Sequence, residues 1–395
     1  MTQSRLIMLA VIFCFSAGCR KTQETTGAES EKKTAAADRT AQQAPQPQKS
    51  VDVSSNRFRY QGEIIDSHTL ITPLDQSIDK ALGVFEQLGI VKFCNKNGGF
   101  LGHPRFAATV NIKKRLGDRF EFFANLAWMG VNSPDWGMRE AERLKREVKM
   151  GAKGLKIFKA LGLTVRDAEG KLLHVNDPRL DPVFKAAAGL NAIVAMHTGD
   201  PKAFFEPVTP ANERYDELSA APDWSFYGRD YPSREQLLTE RNEVLARHPD
   251  TMFLLIHLGN NPEDLDYAAQ VLEKYPNVYM DTSARVPEIG RHPPEKVREF
   301  FIRFQDRILF GTDFGVSPHG MHLGSLSKKP PTFQDAVNFY KAHFRYFETG
   351  EKQIDHPTPI QGNWKIDAAN LPDEVLKKLY YDNARKLIFE RTMNI

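Results

Sequence analysis

Cysteine is scarce in this chain: three in 395 residues, at Cys14, Cys19 and Cys94. The first two fall in a leader region, so Cys94 stands alone in the remainder of the chain. No intrachain disulfide can then staple the fold, and its stability must come from a buried core. Neither sign of charge is in surplus. Lys and Arg number 53 against 50 Asp and Glu, the formal charge is +3, and no basic stripe is interleaved with aromatics, which excludes a nucleic-acid footprint. After Phe15 no apolar run is long enough to span a bilayer. From Arg20 to Arg57 there is no aromatic residue and no Leu, Ile or Met; Thr, Ala, Gln, Glu, Lys and Pro dominate. Such a stretch cannot bury enough apolar surface to offset its ordering entropy, so residues 19–57 are expected to be a disordered tether.

The leader carries its own signal. Arg5 supplies a positive start, and Leu6–Phe15 is an apolar stretch too short for a mature transmembrane helix. Phe15-Ser16-Ala17-Gly18-Cys19 places small residues directly before a cysteine. This resembles the bacterial lipobox, which implies a lipoprotein signal peptide over residues 1–18 and a lipid on Cys19; the alternative is an ordinary signal peptide with an incidental cysteine. The expected location is the cell envelope, membrane-anchored on its periplasmic or outer-surface face.

The remaining residues, 58–395, have the content of a globular domain, the whole chain being 41% hydrophobic despite the polar tether. Strand-like and helix-like segments alternate through them. Strand-like segments are Ile64–Asp66, Gly89–Phe93, Phe120–Trp128, Lys153–Phe158, Ala192–His197, Thr251–His257, Val278–Asp281 and Ile308–Asp313. Helix-like segments are Gln76–Gln87, Arg105–Leu116, Asp135–Met150, Asp181–Leu190, Arg234–Arg247, Pro262–Lys274, Pro294–Phe304, Asp335–Phe347 and a closing Asp373–Phe389. Ser77, Asp135, Ser233 and Asn261 are placed to cap helices. Successive strand-then-helix units predict a parallel sheet, and at this length the expected fold is α/β, a single (β/α)8 TIM barrel. Residues 199–232 hold little periodicity and many aromatics and prolines, and read as a long loop over the barrel mouth, a substrate lid.

Four runs at strand ends carry the chemistry: Ile64–His68, Val194–Thr198, Leu254–Gly259 and Leu309–Gly315. Each is an apolar stretch that stops at a His or an Asp. A strand buried on both faces reads as such a stretch, and the C-terminal strand ends are where a TIM barrel keeps its reactive groups. Imidazole and carboxylate are the usual ligands of catalytic zinc.

On these residues the chain resembles the amidohydrolase superfamily. Within it, the likeness is to the amidohydrolase-related branch, which contains aminocarboxymuconate-semialdehyde decarboxylase-like and resorcylate decarboxylase-like enzymes and several lactone hydrolases. The matching pieces are I-D-S-H at Ile65–His68, G-A-K-G-L-K at Gly151–Lys156, M-H-T-G at Met196–Gly199, I-H-L-G at Ile256–Gly259, G-T-D-F at Gly311–Phe314 and D-N-A-R-K-L at Asp382–Leu387. The resemblance implies a divalent metal, zinc or alternatively manganese. It implies His68, His197 and Asp313 as ligands and His257 as acid/base, with Asp313 able to shuttle a proton. The family's first motif is H-x-H, and here it reads His68-Thr69-Leu70. Leucine cannot bind a metal, so the site would rest on fewer ligands, with His257 or a carbamate on a strand-four lysine, Lys156 foremost, to complete it. Lys153, Lys156 and Lys159 are all candidates; parity sets Lys156 on the opposite face from the other two.

Further expectations concern substrate and support. Arg285, just past the seventh strand, could grip a substrate carboxylate. Trp128 and His103 are candidates to line the pocket, and Asp66 to support the site. The leading functional reading is a metal-dependent hydrolase of an ester, lactone or amide bond in a small molecule. The alternatives are non-oxidative decarboxylation of a small carboxylic acid and a metal-free binding lipoprotein. A homo-oligomer is compatible with all three.

The leader reading is testable directly. A Cys19→Ser variant is expected to lose its lipid and to stop sedimenting with membranes, read by mass spectrometry and cell fractionation. A mature protein that begins elsewhere and stays soluble with Cys19 intact would overturn it.

Overall fold

The computed structural model describes residues 56–395; the signal peptide, Cys19 and nearly all of the tether lie outside the described residues. Eight strands follow one another side by side, all parallel. They are β1 (Ile64–Ile71), β2 (Ile90–Asn95), β3 (Phe120–Asn125), β4 (Gly154–Ile157), β5 (Ile193–Met196), β6 (Met252–Leu255), β7 (Val278–Asp281) and β8 (Ile308–Leu309). After β8 the same segment resumes as β9 (Phe314–Ser317), which pairs parallel with β1, Thr69 against Phe314 and Ile71 against Val316. A hairpin then lays β10 (Gly320–Leu323) antiparallel to β9. The sheet is therefore curled. Between β8 and β9, Phe310 accepts from the Ser67 amide and the Asp313 amide donates to His68, both at 3.0 Å. The result is a curled α/β sheet consistent with a TIM barrel.

Helices cover its outside: α1 (Asp75–Glu86), α2 (Pro104–Leu116), α3 (Trp136–Lys149), α4 (Asp181–Gly189), α5 (Arg234–Arg247), α6 (Leu265–Lys274), α7 (Pro294–Arg303) and α8 (Phe333–Glu348). Their apolar faces join the strands' outer faces in one large core, while a smaller inner layer of Ile65, Cys94, Phe123, Ile193, Leu254 and Leu309 fills the curl. The closing segment packs Ala384, Leu387 and Ile388 against that inner layer. It is α-helical over Asp373–Lys377 and opens to wider i→i+5 turns over Lys378–Asp382 and Arg385–Phe389.

Local signals explain the helix starts, with three departures. Ser233 caps α5, its hydroxyl accepting from the Gln236 amide, and a Thr332–Asp335 capping box starts α8. Ser77 is not a cap: α1 begins earlier, at Asp75, and buries Ser77. Asn261 is not one either; Asp264 accepts from the Tyr267 amide and starts α6. Asp135 does sit before α3, but its carboxylate turns to Ser133 and Arg139 instead of the backbone.

The 199–232 stretch is more built than a bare loop. It contains short helical turns at Lys202–Phe205 and Tyr215–Ala220. Fully buried Arg214 pairs with Glu217 at 2.7 Å and also with Glu288, which follows β7; Ser325, which follows β10, donates to Glu217. Removing one partner of such a buried pair is strongly destabilising, so these contacts pin the insertion over the strand ends.

Close packing inside the curl gives a stability test. A Cβ on Gly154 would lie 2.1 Å from the Ile193 carbonyl oxygen and 2.8 Å from Phe123 Cε1, whereas one on Gly189 meets nothing within 4 Å. Gly154→Ala is expected to lose about 1–3 kcal/mol by overpacking. Gly189→Ala, at the end of α4, should gain up to about 1 kcal/mol of helix propensity. Denaturant midpoints of the two variants check the contrast.

Candidate metal and catalytic site

The C-terminal ends of β6, β7 and β8 abandon regular pairing where the polar residues begin, while β1 carries its polar residues through a register shift and stays paired to Ile71. Extended pairing stops at Leu255, and His257 and Leu258 take left-handed φ values of 57° and 51°. It stops at Leu309 in β8, and Asp313 sits at φ 63°; Ala284, after β7, is at 53°. Left-handed backbone in non-glycine residues costs about 1–3 kcal/mol each and clusters where the surrounding structure imposes it. Here it aims His257 and Asp313 inward instead of continuing the ladder.

A buried carboxylate organises the cluster. Asp281 Oδ2 lies 2.9 Å from His68 Nδ1. Asp281 Oδ1 accepts from the His257 amide at 2.9 Å and from the Ser283 hydroxyl at 2.6 Å. The Ser283 oxygen is in turn 2.9 Å from both His68 Nδ1 and His257 Nδ1, and the Ser283 carbonyl is 2.8 Å from His257 Nδ1. These contacts fix the tautomers. The Ser283 proton is given to Asp281, and carboxylate and carbonyl oxygens only accept, so both Nδ1 atoms must be the donors. His68 and His257 therefore keep bare Nε2 atoms. His68 Nε2 lies 3.4 Å from Asp313 Oδ1, a buried oxygen with no hydrogen-bond partner among the described residues.

His197 stands edge-on to His257, ring centroids 4.5 Å apart, and His257 and His68 are 5.2 Å apart. His197 Nε2 is 3.3 Å from Asp200 Oδ1, and Asp200 is also paired with Lys159. Arg285 is buried, donates to the Ala284 carbonyl and brings Nη2 to 3.9 Å from Asp200; its Nε has no partner among the described residues. Of the strand-four lysines, Lys156 is the one that turns inward and is buried. Lys153 reaches the Arg391 carbonyl, and Lys159 lies past the strand on Asp200.

Electrostatics follow from burial. Desolvation lowers the pKa of His68, pulls His197 down to about 4 and pushes His257 well below the usual imidazole range, so all three rings are neutral. Burial opposes ionisation of Asp281, but His68 and three hydrogen bonds hold its carboxyl well below the usual range. Lys156 is drawn down to about 7 by burial, against the pull of Asp313 and Asp281 and with Lys96 adding to the fall. Asp66 supports from behind: its carboxylate accepts from the His68 amide, from Thr312 at 2.6 Å and from Tyr340 at 2.7 Å, while burial lifts its pKa to about 6.

Neutral imidazoles and carboxylates are the protonation states that metal ligands need. His68, His257 and Asp281 each offer a ligand atom within 4.8 Å of the others, a group able to hold a metal ion. The structure thus brings His68, His197, His257, Asp313, Lys156 and Arg285 into one neighbourhood. It does not bring in the other two pocket candidates. His103 is exposed and caps α2 by accepting from the Arg105 amide. Trp128 stacks on Trp136, centroids 5.6 Å apart, beyond β3. Leu70, at the place of the second family histidine, pairs with Gly315, which pairs across the hairpin with His322. Sequence reasoning gave no role to Asp281, Ser283, Asp200 or Lys96. Asp281 was findable, because V-Y-M-D ends in a carboxylate like the other strand-end runs; Ser283 and Lys96 lie in turns without a periodic signal.

An amidohydrolase family model matches residues 118–389, more than half of the chain, although the match begins after β1 and so leaves His68 outside it. The chain belongs to the amidohydrolase family and is an enzyme. Among solved structures it is similar to 2,6-dihydroxybenzoate decarboxylase from Rhizobium at 16% identity and TM-score 0.45, covering 83% of this chain and 98% of that one. It is also similar to amidohydrolase 2 from Bifidobacterium longum subsp. infantis (13% identity, TM-score 0.43, 82% and 98%). A third is 4-oxalomesaconate hydratase from Rhodopseudomonas palustris (12%, 0.41, 82% and 95%). The search of curated proteins gives no match.

The buried neutral histidines generate a pH prediction. With a folded pKa near 4 against 6.5 unfolded, His197 is neutral in both states above pH 6.5 and contributes nothing there. As pH falls below 6.5 the unfolded chain binds a proton that the fold refuses, and stability is lost. Between pH 7 and pH 5, chelator-treated His197→Gln should therefore lose about 2 kcal/mol less stability than the parent, at about 1.4 kcal/mol per pH unit below 6.5. Denaturant unfolding of both proteins at the two pH values measures it.

Proposed function

We propose that the protein is a metal-dependent hydrolase acting on an ester, lactone or amide bond of a small molecule at the mouth of a (β/α)8 barrel. The observation that carries this is the polarity of the cluster. On the wall side every ring nitrogen has a partner, and on the other side stand the bare Nε2 of His68 and the orphaned Asp313 Oδ1. A ligating histidine commonly gives its second N–H to a carboxylate or carbonyl, which orients it; Asp281 and Ser283 do this for His68 and His257. His68 and Asp313 would then hold the ion together with His197, zinc being the expected metal. When bound, it supplies Lewis-acid polarisation of the scissile carbonyl and acidifies water.

The chain's own groups do the rest. Asp281 fixes His68 and the His257 backbone, so the two imidazoles cannot turn. His257, held neutral, accepts a proton at Nε2. Because burial and its cationic neighbours weaken its hold on that proton, it then releases it readily to the leaving group. Arg285, anchored on Ala284 and close to Asp200, faces the substrate's polar end. The tether, on the same reading, keeps the enzyme at the cell envelope.

A second reading, decarboxylation of a small carboxylic acid at the same site, draws on the buried side chains of Lys156 and Arg285. The two chemistries separate by product: one needs a hydrolysable bond, the other releases carbon dioxide.

Metal content of purified variants decides the ligand assignment. Asp313→Ala is expected to lose metal and activity together. His257→Asn should keep the metal while turnover falls by about 10²–10⁴. Asp281→Asn should weaken metal binding by about 10–100-fold without abolishing it. If Asp281→Asn empties the site while Asp313→Ala keeps it full, the ion belongs on the Asp281 side of the rings. A parent protein free of metal would leave the binding-lipoprotein reading in its place.

A further inference from the structure

Two lysines are buried in the inner wall without a carboxylate at ion-pair distance among the described residues, although Asp313 and Asp281 act on Lys156 from further off. Lys96, directly after β2, is fully buried, and Lys156 on β4 is 1% exposed. Neither makes an ion pair among the described residues. The Lys96 ammonium lies 3.7 Å from the ring centre of Phe123 on β3, and its one hydrogen-bond partner among the described residues is Cys94 Sγ at 3.7 Å. That partner is no counter-ion: burial pushes the Cys94 thiol up to about 11, so it is neutral. The Lys156 ammonium lies 5.1 Å from the ring centre of Phe158. The two are neighbours across β3. Asn125 pairs in register with Lys156 and donates its side-chain amide to the Lys96 carbonyl at 3.1 Å. Gly154, two residues before Lys156, has no side chain, and Phe123 fills that space under Lys96.

A buried charge persists when a partner completes it. Of the carboxylates that act on Lys156, Asp281 is engaged with His68, and Asp313 faces the bare His68 Nε2 at 3.4 Å. A divalent ion beside them would take more of their charge and leave this wall more cationic still. We infer that Lys96 and Lys156 form a seat for a carboxylate group of the substrate, between the aromatic faces of Phe123 and Phe158. Two ammonium donors match the two oxygens of a carboxylate, and the flanking rings accept the apolar body that carries it. The inference deepens the proposed function by naming the substrate class, a small organic acid, and rests on the same pocket being the active site. It assigns Lys156 to substrate instead of to a carbamate.

Malonate, with malonamide as the uncharged control, is the probe. Calorimetric titration uses the full chain, metal-loaded and again after chelation, in bicarbonate-free buffer so that no carbamate competes. Malonate is expected to bind and malonamide not to. Lys96→Met should weaken malonate by about tenfold or more, the size of a lost hydrogen bond to a charged group, with metal stoichiometry unchanged, and Lys96→Arg should retain most of it. Without malonate, Lys96→Met should melt at the same or a higher temperature, since an unpaired buried charge has been removed. Lys156→Met is read in the same way, so the test does not depend on one variant folding. Malonate affinity in both Met variants equal to the parent's, or phosphate binding more tightly than malonate through the same lysines, would overturn the seat. A parent that binds malonate through Lys96 yet takes up no metal would retain the seat and sink the hydrolase reading, so the two fail separately.

Discussion

The site depends on the carboxylate of Asp281. It is fully buried at the end of β7 and divides its two oxygens between neighbours. One oxygen fixes His68 from β1, the other fixes Ser283 and the backbone of His257 beyond β6. Three strand ends far apart in sequence are thus held by one charge. In a low-dielectric interior such hydrogen bonds are stronger than in water, and leaving any one unmade is correspondingly unfavourable. The carboxylate stays ionised because every contact it has is a donor. The same contacts dictate which nitrogen of each histidine carries the proton, so the orientation and protonation of the rings have a single cause.

The left-handed residues result from that constraint. The His257 amide reaches Asp281 only if the chain turns out of the β6 ladder, and φ values of 57° at His257 and 51° at Leu258 make that turn. At β8 the turn at Asp313, φ 63°, is braced from behind. Thr312 and Tyr340 of α8 both donate to Asp66, and the Asp313 amide donates to the His68 carbonyl. Each strained residue costs about 1–3 kcal/mol. The hydrogen bonds it permits, and the large core around it, offset that.

Much of this was legible in the sequence, and what was not has a physical reason. Buried parallel strands write themselves as apolar runs, so the strand order and the polar residues closing those runs, His68, His197, His257 and Asp313, could be read directly, although β1 runs on past His68 to Ile71. Where regular pairing ends could not. Thr251–His257 and Ile308–Asp313 look like continuous strands, yet tertiary hydrogen bonds to Asp281 and His68 stop them two and four residues early. Parity placed Lys156 opposite Lys153 and Lys159 but left the inward face open; packing against Phe123 and Asn125 of β3 settles it. His103 drew notice as a histidine after a strand, but its ring serves its own helix. Polar residues next to Pro at a helix start are most often caps, and that reading would have found it.

The pattern of satisfied and unsatisfied atoms gives the site a direction that no single residue reveals. Behind the rings, Asp66, Asp281, Ser283, Thr312 and Tyr340 exchange hydrogen bonds among themselves and with the backbone. In front, Asp313 Oδ1 and Arg285 Nε are buried without partners among the described residues, and Lys96 and Lys156 are buried without counter-ions there. Natural interiors leave few polar groups unpaired. Asp313 Oδ1 and Arg285 Nε stand beside the neutral imidazoles, and slack packing does not account for them, because the shell behind the rings is fully paired. Under the proposed function their partners come from outside the chain: a cation for the carboxylate and bare nitrogens, and an anion for the lysines. A ligand that meets both needs carries a polarisable oxygen at one end and a negative group within reach of it. The fold sets the two kinds of group on separate strands, carboxylates at the ends of β7 and β8 and lysines at the end of β2 and on β4.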